Sequence, residues 1–218
     1  MPAPLMDAAA FVQAHTRLAP AVLVPDIKLH LATELTPLWQ ATEEFLQRHG
    51  MAPPFWAFAW PGSEALALHI TQNPELVRGK RVLDFAAGCG LAALACVRAG
   101  AAYVEAAEID KLAAAAMRLN AAANGLGLEV LLGDIVGTPC RWDVILCGDV
   151  CYEEPMTRHI LPWLAACARQ VPVIIADPGR KYLPSARGKT LAVIEVPTSL
   201  ELEDTQQRIV TLFQLPPE

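Results

Sequence analysis

Three acids in this 218-residue chain sit where short β-rich runs end: Asp84 late in RVLDF, Glu108 closing YVEAAE, and Asp134 just after LEVLLG. Between the first two lies a glycine turn, VLDFAAGCGLAA, with Gly88 and Gly90 at its centre. A fourth apolar run ends in ILCGDVCYEE, residues 145–154, which places Gly148, Asp149 and Tyr152 together. Carboxylates at strand ends can accept from hydroxyl, amino or ammonium groups, and glycines let a ligand approach the backbone. A thiol-rich metal site is the other chemistry that cluster suggests. The six cysteines (89, 96, 140, 147, 151 and 167) contain no C-x-x-C pair, and the five histidines show no ligand spacing, so both sets read as structural and no metal is expected.

These residues need a scaffold. ELTPLWQATEEFLQRHG has Thr36 as a helix N-cap, Pro37 at the first helical position and Gly50 as a stop. MAPPFWAFAWPG interrupts it as a rigid proline and aromatic segment, and GSEALALHITQN predicts a helix with Leu66, His69 and Ile70 on one face. From residue 81 strands alternate with helices: RVLDF, LAALACVRAG, AYVEAAEID, KLAAAAMRLNAAANG, LEVLLGD, WDVILCGD, EEPMTRHILPWLAACARQ and VPVIIADPG. Pro162 should kink or split the last of those helices. The alternation predicts βαβ units and a parallel, doubly wound sheet. TLAVIEVP and QQRIVTLFQL then follow with no helix between them and predict an antiparallel pair at one sheet edge.

Ligands of such sheets bind beyond the carboxyl ends of the strands, where strand order reverses. Gly88, Gly90 and Ala93 fit G-x-G-x-x-A, a dinucleotide pattern. Two details point away from it. Asp84 brings negative charge where a pyrophosphate would sit, and the glycines come late after the strand. A cofactor with a cationic centre and no phosphates suits the acids better, and S-adenosylmethionine (SAM) has that make-up. Asp84 would help hold its cationic methionine end, Glu108 its ribose hydroxyls and Asp134 its adenine amino group.

Composition bounds the rest. Hydrophobic residues make up 54% and charged residues 18%, which calls for a large core. A net charge of −6 and a pI near 5.4 give no reason to expect nucleic acid or an anionic membrane as partner. Arg180, Lys181, Arg187 and Lys189 form one basic cluster, read as a solvated loop. No stretch has the length of a membrane span, and the first twenty residues resemble neither a secretory signal nor a transit peptide, so reduced thiols and a cytoplasmic location are expected.

VLDFAAGCG, AAEID, LLGD and GDVCY fall in the order found in class I SAM-dependent methyltransferases, which this chain resembles. WAFAWPGSEAL and the D-x-x-Y of DVCY are similar, more narrowly, to family 16, the seven-β-strand protein lysine methyltransferases. The segments PDIKLHLATELTPLW, GDVCYEE and ADPGR most resemble members acting on the electron transfer flavoprotein β subunit. The resemblance implies one Rossmann-like α/β domain over 51–218 with a seven-stranded sheet, helices on both faces, and an N-terminal helical extension over 1–50 packed on it. It implies SAM as cofactor, S-adenosylhomocysteine as product and a protein lysine as acceptor, with a small amine or pyridine such as nicotinamide as the alternative. Trp60 would pack beside the cofactor and Gly148 would line its pocket. Asp149 and Tyr152 are the candidate catalytic residues: Asp149 to accept an N–H of the acceptor amine, with the proton passing either to it or to water, and Tyr152 to wall or hydrogen-bond the site. Ala86 stands where the family has a glycine, and an alanine takes a positive φ poorly. Asp177 and Arg180 either face the acceptor or pair within a turn. A nicotinamide-dinucleotide oxidoreductase would need a Tyr-x-x-x-Lys pair or similar acid, which is missing. A non-catalytic SAM-binding scaffold would not need the intact DVCY.

Overall fold

A computed structural model describes residues 7–33, 53–183 and 188–217. The first elements are α1 (Ala8–His15), the strands β1 (Arg17–Pro20) and β2 (Lys28–Leu31), and α2 (Pro61–Gln72). Then come β3 (Arg81–Phe85), α3 (Leu91–Arg98), β4 (Tyr103–Glu108), α4 (Lys111–Ala123) and β5 (Glu129–Leu132). The chain continues through β6 (Val144–Gly148), α5 (Glu154–Ala168), β7 (Val173–Asp177), β8 (Thr190–Pro197), α6 (Leu200–Glu203) and β9 (Gln207–Gln214).

Seven strands form one sheet in the order β5-β4-β3-β6-β7-β9-β8. The pairs from β5 to β7 are parallel; β9 is antiparallel to both β7 and β8. From β3 the chain steps outward to β4 and β5, then returns to lay β6 on the other side of β3. The reversal opens a crevice at the carboxyl ends of β3 and β6. Period-two alternation sorts the buried residues into two cores. Val82, Val144, Leu146, Ile174 and Ala176 face α2 and α3. Leu83, Phe85, Ile145, Cys147, Val173 and Ile175 face Ile160, Trp163 and Leu164 of α5. Asp84 shares the face of Val82, which decides where its carboxylate points.

Alanine explains how closely the helices sit. α4 turns Ala114, Met117 and Ala121 to the sheet core and Ala113, Ala115 and Ala116 toward Val12, Trp56 and Ala57. Small side chains on two faces let one helix be covered on both sides. Asn120, fully buried on α4, accepts from His30 N–H at 2.7 Å and donates to Cys89 C=O at 2.9 Å, tying β2 to the glycine turn.

Three local expectations change. Part of the expected helical extension is an antiparallel β1–β2 pair, with Arg17 opposite Leu31. The helix predicted from Thr36 to Gly50 lies outside the described residues. α5 runs unbroken through Pro162, whose exposed position lets water reach the carbonyl left without a partner. A one-turn helix, α6, separates the last two strands, capped by Ser199 and ended by Asp204 at φ 55°.

The tightest point is the start of α2. A Cβ on Gly62 would stand 2.6 Å from both Ala176 C=O and Asp149 Oδ2, and 2.7 Å from Asp149 N. Backbone atoms cannot yield there. Gly62→Ala is therefore expected to lose roughly 2 kcal/mol or more of stability in urea unfolding. Gly127→Ala, where a Cβ meets nothing within 4 Å, should stay close to wild type.

Candidate active site

A cavity of about 1280 Å3 occupies the crevice. That exceeds the roughly 300–1,000 Å3 of a pocket for one small ligand, leaving room for a second reactant. Its walls come from the glycine turn, the ends of β4, β5 and β6, the segment from Pro53 to Trp60, and α1. Trp60, Ala86, Gly88, Glu108, Asp134, Gly148, Asp149 and Tyr152 all line it. Asp84 and Gly90 are not among its lining residues.

Those two act from behind the turn. Asp84 accepts Ala93 N–H at 2.9 Å and holds the first turn of α3. Burial drives its pKa up to about 8, with the Ala93 bond opposing and Glu108 adding to the rise. Gly90 has φ 78° at the N-cap of α3, and a Cβ there would meet Met117 Cγ of α4 at 2.9 Å. Ala86 takes φ 52°, so the turn keeps its left-handed shape without a glycine, at a cost of about 1 kcal/mol. Gly88, at φ 55°, has open space where a Cβ would be.

Glu108 distinguishes the ligand class. Its Oε2 accepts Gly88 N–H at 3.1 Å and its Oε1 accepts Ile109 N–H at 2.8 Å. Burial raises its pKa, against those backbone bonds. A carboxylate thus occupies the N–H that a pyrophosphate would need, while its remaining lone pairs stay available to hydroxyl donors. Asp134, half-exposed, accepts Val136 N–H at 2.9 Å and pairs with His159 at 2.7 Å; the Val136 bond, then His159, hold its pKa below the usual range. These acceptors fit the hydroxyl and amino groups of SAM.

On the other side, Asp149 follows β6 at φ 56° and is 7% exposed. Its Oδ2 accepts Gly62 N–H, which caps α2 by direct contact. Its Oδ1 takes Arg180 Nε at 2.8 Å and Nη2 at 2.7 Å. Burial raises its pKa to about 6, with Arg180 the main opposing influence. Of the four or so lone-pair positions on a carboxylate, three are engaged, leaving one on Oδ2. Tyr152 lies ring to ring with Phe55 at 5.3 Å, and Phe55 lies 6.0 Å from Trp60. Burial first, then Glu153 and Glu108, push the Tyr152 phenol up to about 12, so it is protonated at neutral pH. Cys151 rises likewise to about 12 by burial, and Cys147 rises well above its ordinary value. These thiols are buried neutral packing groups.

The sequence reading missed Phe55, His159 and Glu203. Phe55 sat in a segment read only as rigid, and His159 among histidines read as structural. Arg180, which the sequence places in a basic loop and leaves open between facing the site and pairing in a turn, lines the cavity with its guanidinium, pairs with Asp149 and Glu203, and lies 5.8 Å above the Trp60 ring. The rest of that loop includes Arg187, outside the described residues. Asp177 shapes the turn by accepting Gly179 N–H at 2.7 Å and Arg180 N–H at 2.6 Å.

Asp84 makes stability pH-dependent. Its folded pKa lies above the unfolded one, so between about 4 and about 8 the native state keeps a proton that the unfolded chain releases, and stability falls as pH rises through that window. Relative to Asp84→Asn, wild type should lose ground in urea unfolding from pH 5 to 8. A pH-independent difference between the two would contradict this.

A family model for the methyltransferase small domain matches residues 58–148. The chain is 37% identical over 179 residues to the electron transfer flavoprotein β-subunit lysine methyltransferase of Xenopus laevis, covering 80% of this chain and 72% of that one. The Homo sapiens protein of that name is 35% identical over 176 residues, covering 78% and 66%. Among solved structures, the magnesium protoporphyrin IX methyltransferase of Synechocystis PCC 6803, with SAM bound, has a TM-score of 0.51. It is 15% identical over 69% of this chain and 77% of that one, a likeness of fold. With more than a third of aligned residues identical over most of both chains, this protein belongs to the electron transfer flavoprotein β-subunit lysine methyltransferase family of SAM-dependent enzymes.

Proposed function

We propose that this enzyme methylates lysine side chains of the electron transfer flavoprotein β subunit. The observation that carries the reading is one cavity with two chemically distinct sides: Glu108 and Asp134 at the ends of adjacent strands, and Asp149 with aromatic rings opposite. Glu108 would accept from the ribose hydroxyls, Asp134 from the adenine amino group, and the backbone of Gly88 and Gly148 would line the methionine end beside Trp60. Asp84 supports that end from behind by fixing the turn. Bound SAM supplies an electrophilic methyl group on a sulfonium.

The chain's own residues do the rest. A lysine must enter as the neutral amine, and its reference pKa is about 10.4. Phe55, Tyr152 and Trp60 remove water around it, which favours the neutral form. The remaining lone pair of Asp149 Oδ2 accepts one amine N–H and so aims the nitrogen. Because Asp149 is already bonded to Gly62 and Arg180, it orients the amine, and the proton leaves to water. Arg180 balances the Asp149 charge, which would otherwise hold the lysine protonated. Phe55 and Tyr152 are 40% and 37% exposed, so a side chain borne by another protein can reach the mouth. All six cysteines are free thiols, which suits a reducing compartment such as the cytoplasm. Among the described residues no helix is long and apolar enough to cross a membrane.

Calorimetric titration should show SAM binding and no NADH binding. Glu108→Gln should weaken SAM on the order of tenfold, the value of one charge-assisted hydrogen bond. Asp149→Asn should leave SAM affinity within about threefold and cut methyl transfer on the order of a hundredfold, as misplacement of a reacting atom does. Wild-type turnover in Asp149→Asn would overturn the acceptor role.

A further inference from the structure

Asp149 is one end of a chain of alternating charges that runs from the buried site to the partly exposed Arg208. Arg208 Nε meets Glu203 Oε2 at 2.8 Å, and its Nη2 donates to Glu203 C=O at 2.8 Å. Arg180 Nη1 reaches Glu203 Oε2 at 3.1 Å while its Nη2 contacts Glu203 Oε1. The same Nη2, with Nε, holds Asp149 Oδ1. Along this chain the side chains of Glu203, Arg180 and Asp149 are 1%, 20% and 8% exposed.

Glu203 does not line the cavity, but Leu202, its neighbour on α6, does. One turn of helix between the two antiparallel edge strands therefore contributes to the acceptor side twice, once as wall and once as anchor. A carboxylate this buried is strongly disfavoured unless paired, and two guanidiniums pair it. The geometry fixes Arg180 as well. Its planar fork satisfies two carboxylates at once, a task a point charge such as lysine cannot do. Burial opposes its charge, but Glu203 and Asp149 keep the guanidinium pKa above the ordinary value.

We propose that Glu203 is a positioning residue for the acceptor: it holds Arg180 so that the guanidinium grips only Asp149 Oδ1, leaving Oδ2 for α2 and the incoming amine. With Glu203 removed, Arg180 is free to swing onto both oxygens of Asp149. That would take the last acceptor position, so the incoming amine would find no free lone pair on Asp149. The proposal rests on the reading of Asp149 as the acceptor site.

Asp149 faces Arg180 and Asp177 from the β7 side, Gly62 N–H from α2, Cys151 on its own turn, and Glu203 behind Arg180. The test combines Glu203→Gln with carbon-13 NMR titration of the Asp149 carboxyl, its signal assigned with Asp149→Asn. With Glu203 neutral, Arg180 serves Asp149 alone and the midpoint moves to lower pH. Methyl transfer to the electron transfer flavoprotein β subunit falls at least about tenfold while SAM affinity stays within about twofold. Arg180→Lys keeps the charge, loses the bridge and should lose turnover in the same way, which covers poor folding of Glu203→Gln. An unchanged midpoint, or parallel loss of SAM affinity and turnover, overturns the proposal. A shifted midpoint with no transfer by wild type to that subunit supports the Glu203–Arg180–Asp149 link and overturns the acceptor reading instead.

Discussion

The approach of α2 to the carboxyl ends of β6 and β7 is the constraint from which the active site follows. Gly62 has no side chain because Ala176 C=O and Asp149 already fill that space. At that contact the helix has no side-chain cap of its own, since its N-cap is Trp60. Asp149 supplies one through Gly62 N–H, and to do so it adopts a left-handed φ that side chains tolerate at a cost of order 1 kcal/mol. Helix, strand end and carboxylate are thereby locked to one another. Trp60, immediately before the helix, is placed at the cavity wall by the same contact, and its indole N–H is satisfied by Phe55 C=O at 2.7 Å.

Electrostatics then divides the cavity. Glu108 and Asp134 keep unpaired acceptor capacity for donors of a ligand, and the turn N–H that could bind a phosphate is taken. Across the cavity Asp149 is nearly saturated and electrically balanced by Arg180. An acid with free lone pairs and full charge would hold a lysine as ammonium, which has no lone pair to attack with. A balanced acid with one position left can orient a neutral amine. In the proposed function, what matters is therefore less how acidic Asp149 is than how much of it is already occupied.

Much of this was legible in the sequence. β3 and β8 match their predicted limits, and the other sheet strands fall within them, because period-two alternation on a sheet covered on both faces leaves a strong signal. Glu108 and Asp134 were legible because strand-end acids next to a glycine turn are placed by the fold itself. Asp84 was read in the right strand but turned to the wrong place: its parity with Val82 points it at α3. β1 and β2, RLAP and KLHL, carry too little apolar pattern to show as strands. Glu203 was out of reach, since nothing in LELED distinguishes a solvated glutamate from one buried between two arginines 23 and 5 residues away. Pro162 followed a rule that assumes a buried helix face, whereas its face is exposed.

The most direct test of the account is intact-mass spectrometry of purified electron transfer flavoprotein after incubation with this enzyme and SAM. The β subunit should gain mass in whole methyl groups, mapped by peptide sequencing to lysine, and only when both enzyme and SAM are present. An unmodified β subunit, together with methyl transfer to nicotinamide under the same conditions, would contradict the proposed acceptor and assign the cavity to a small molecule.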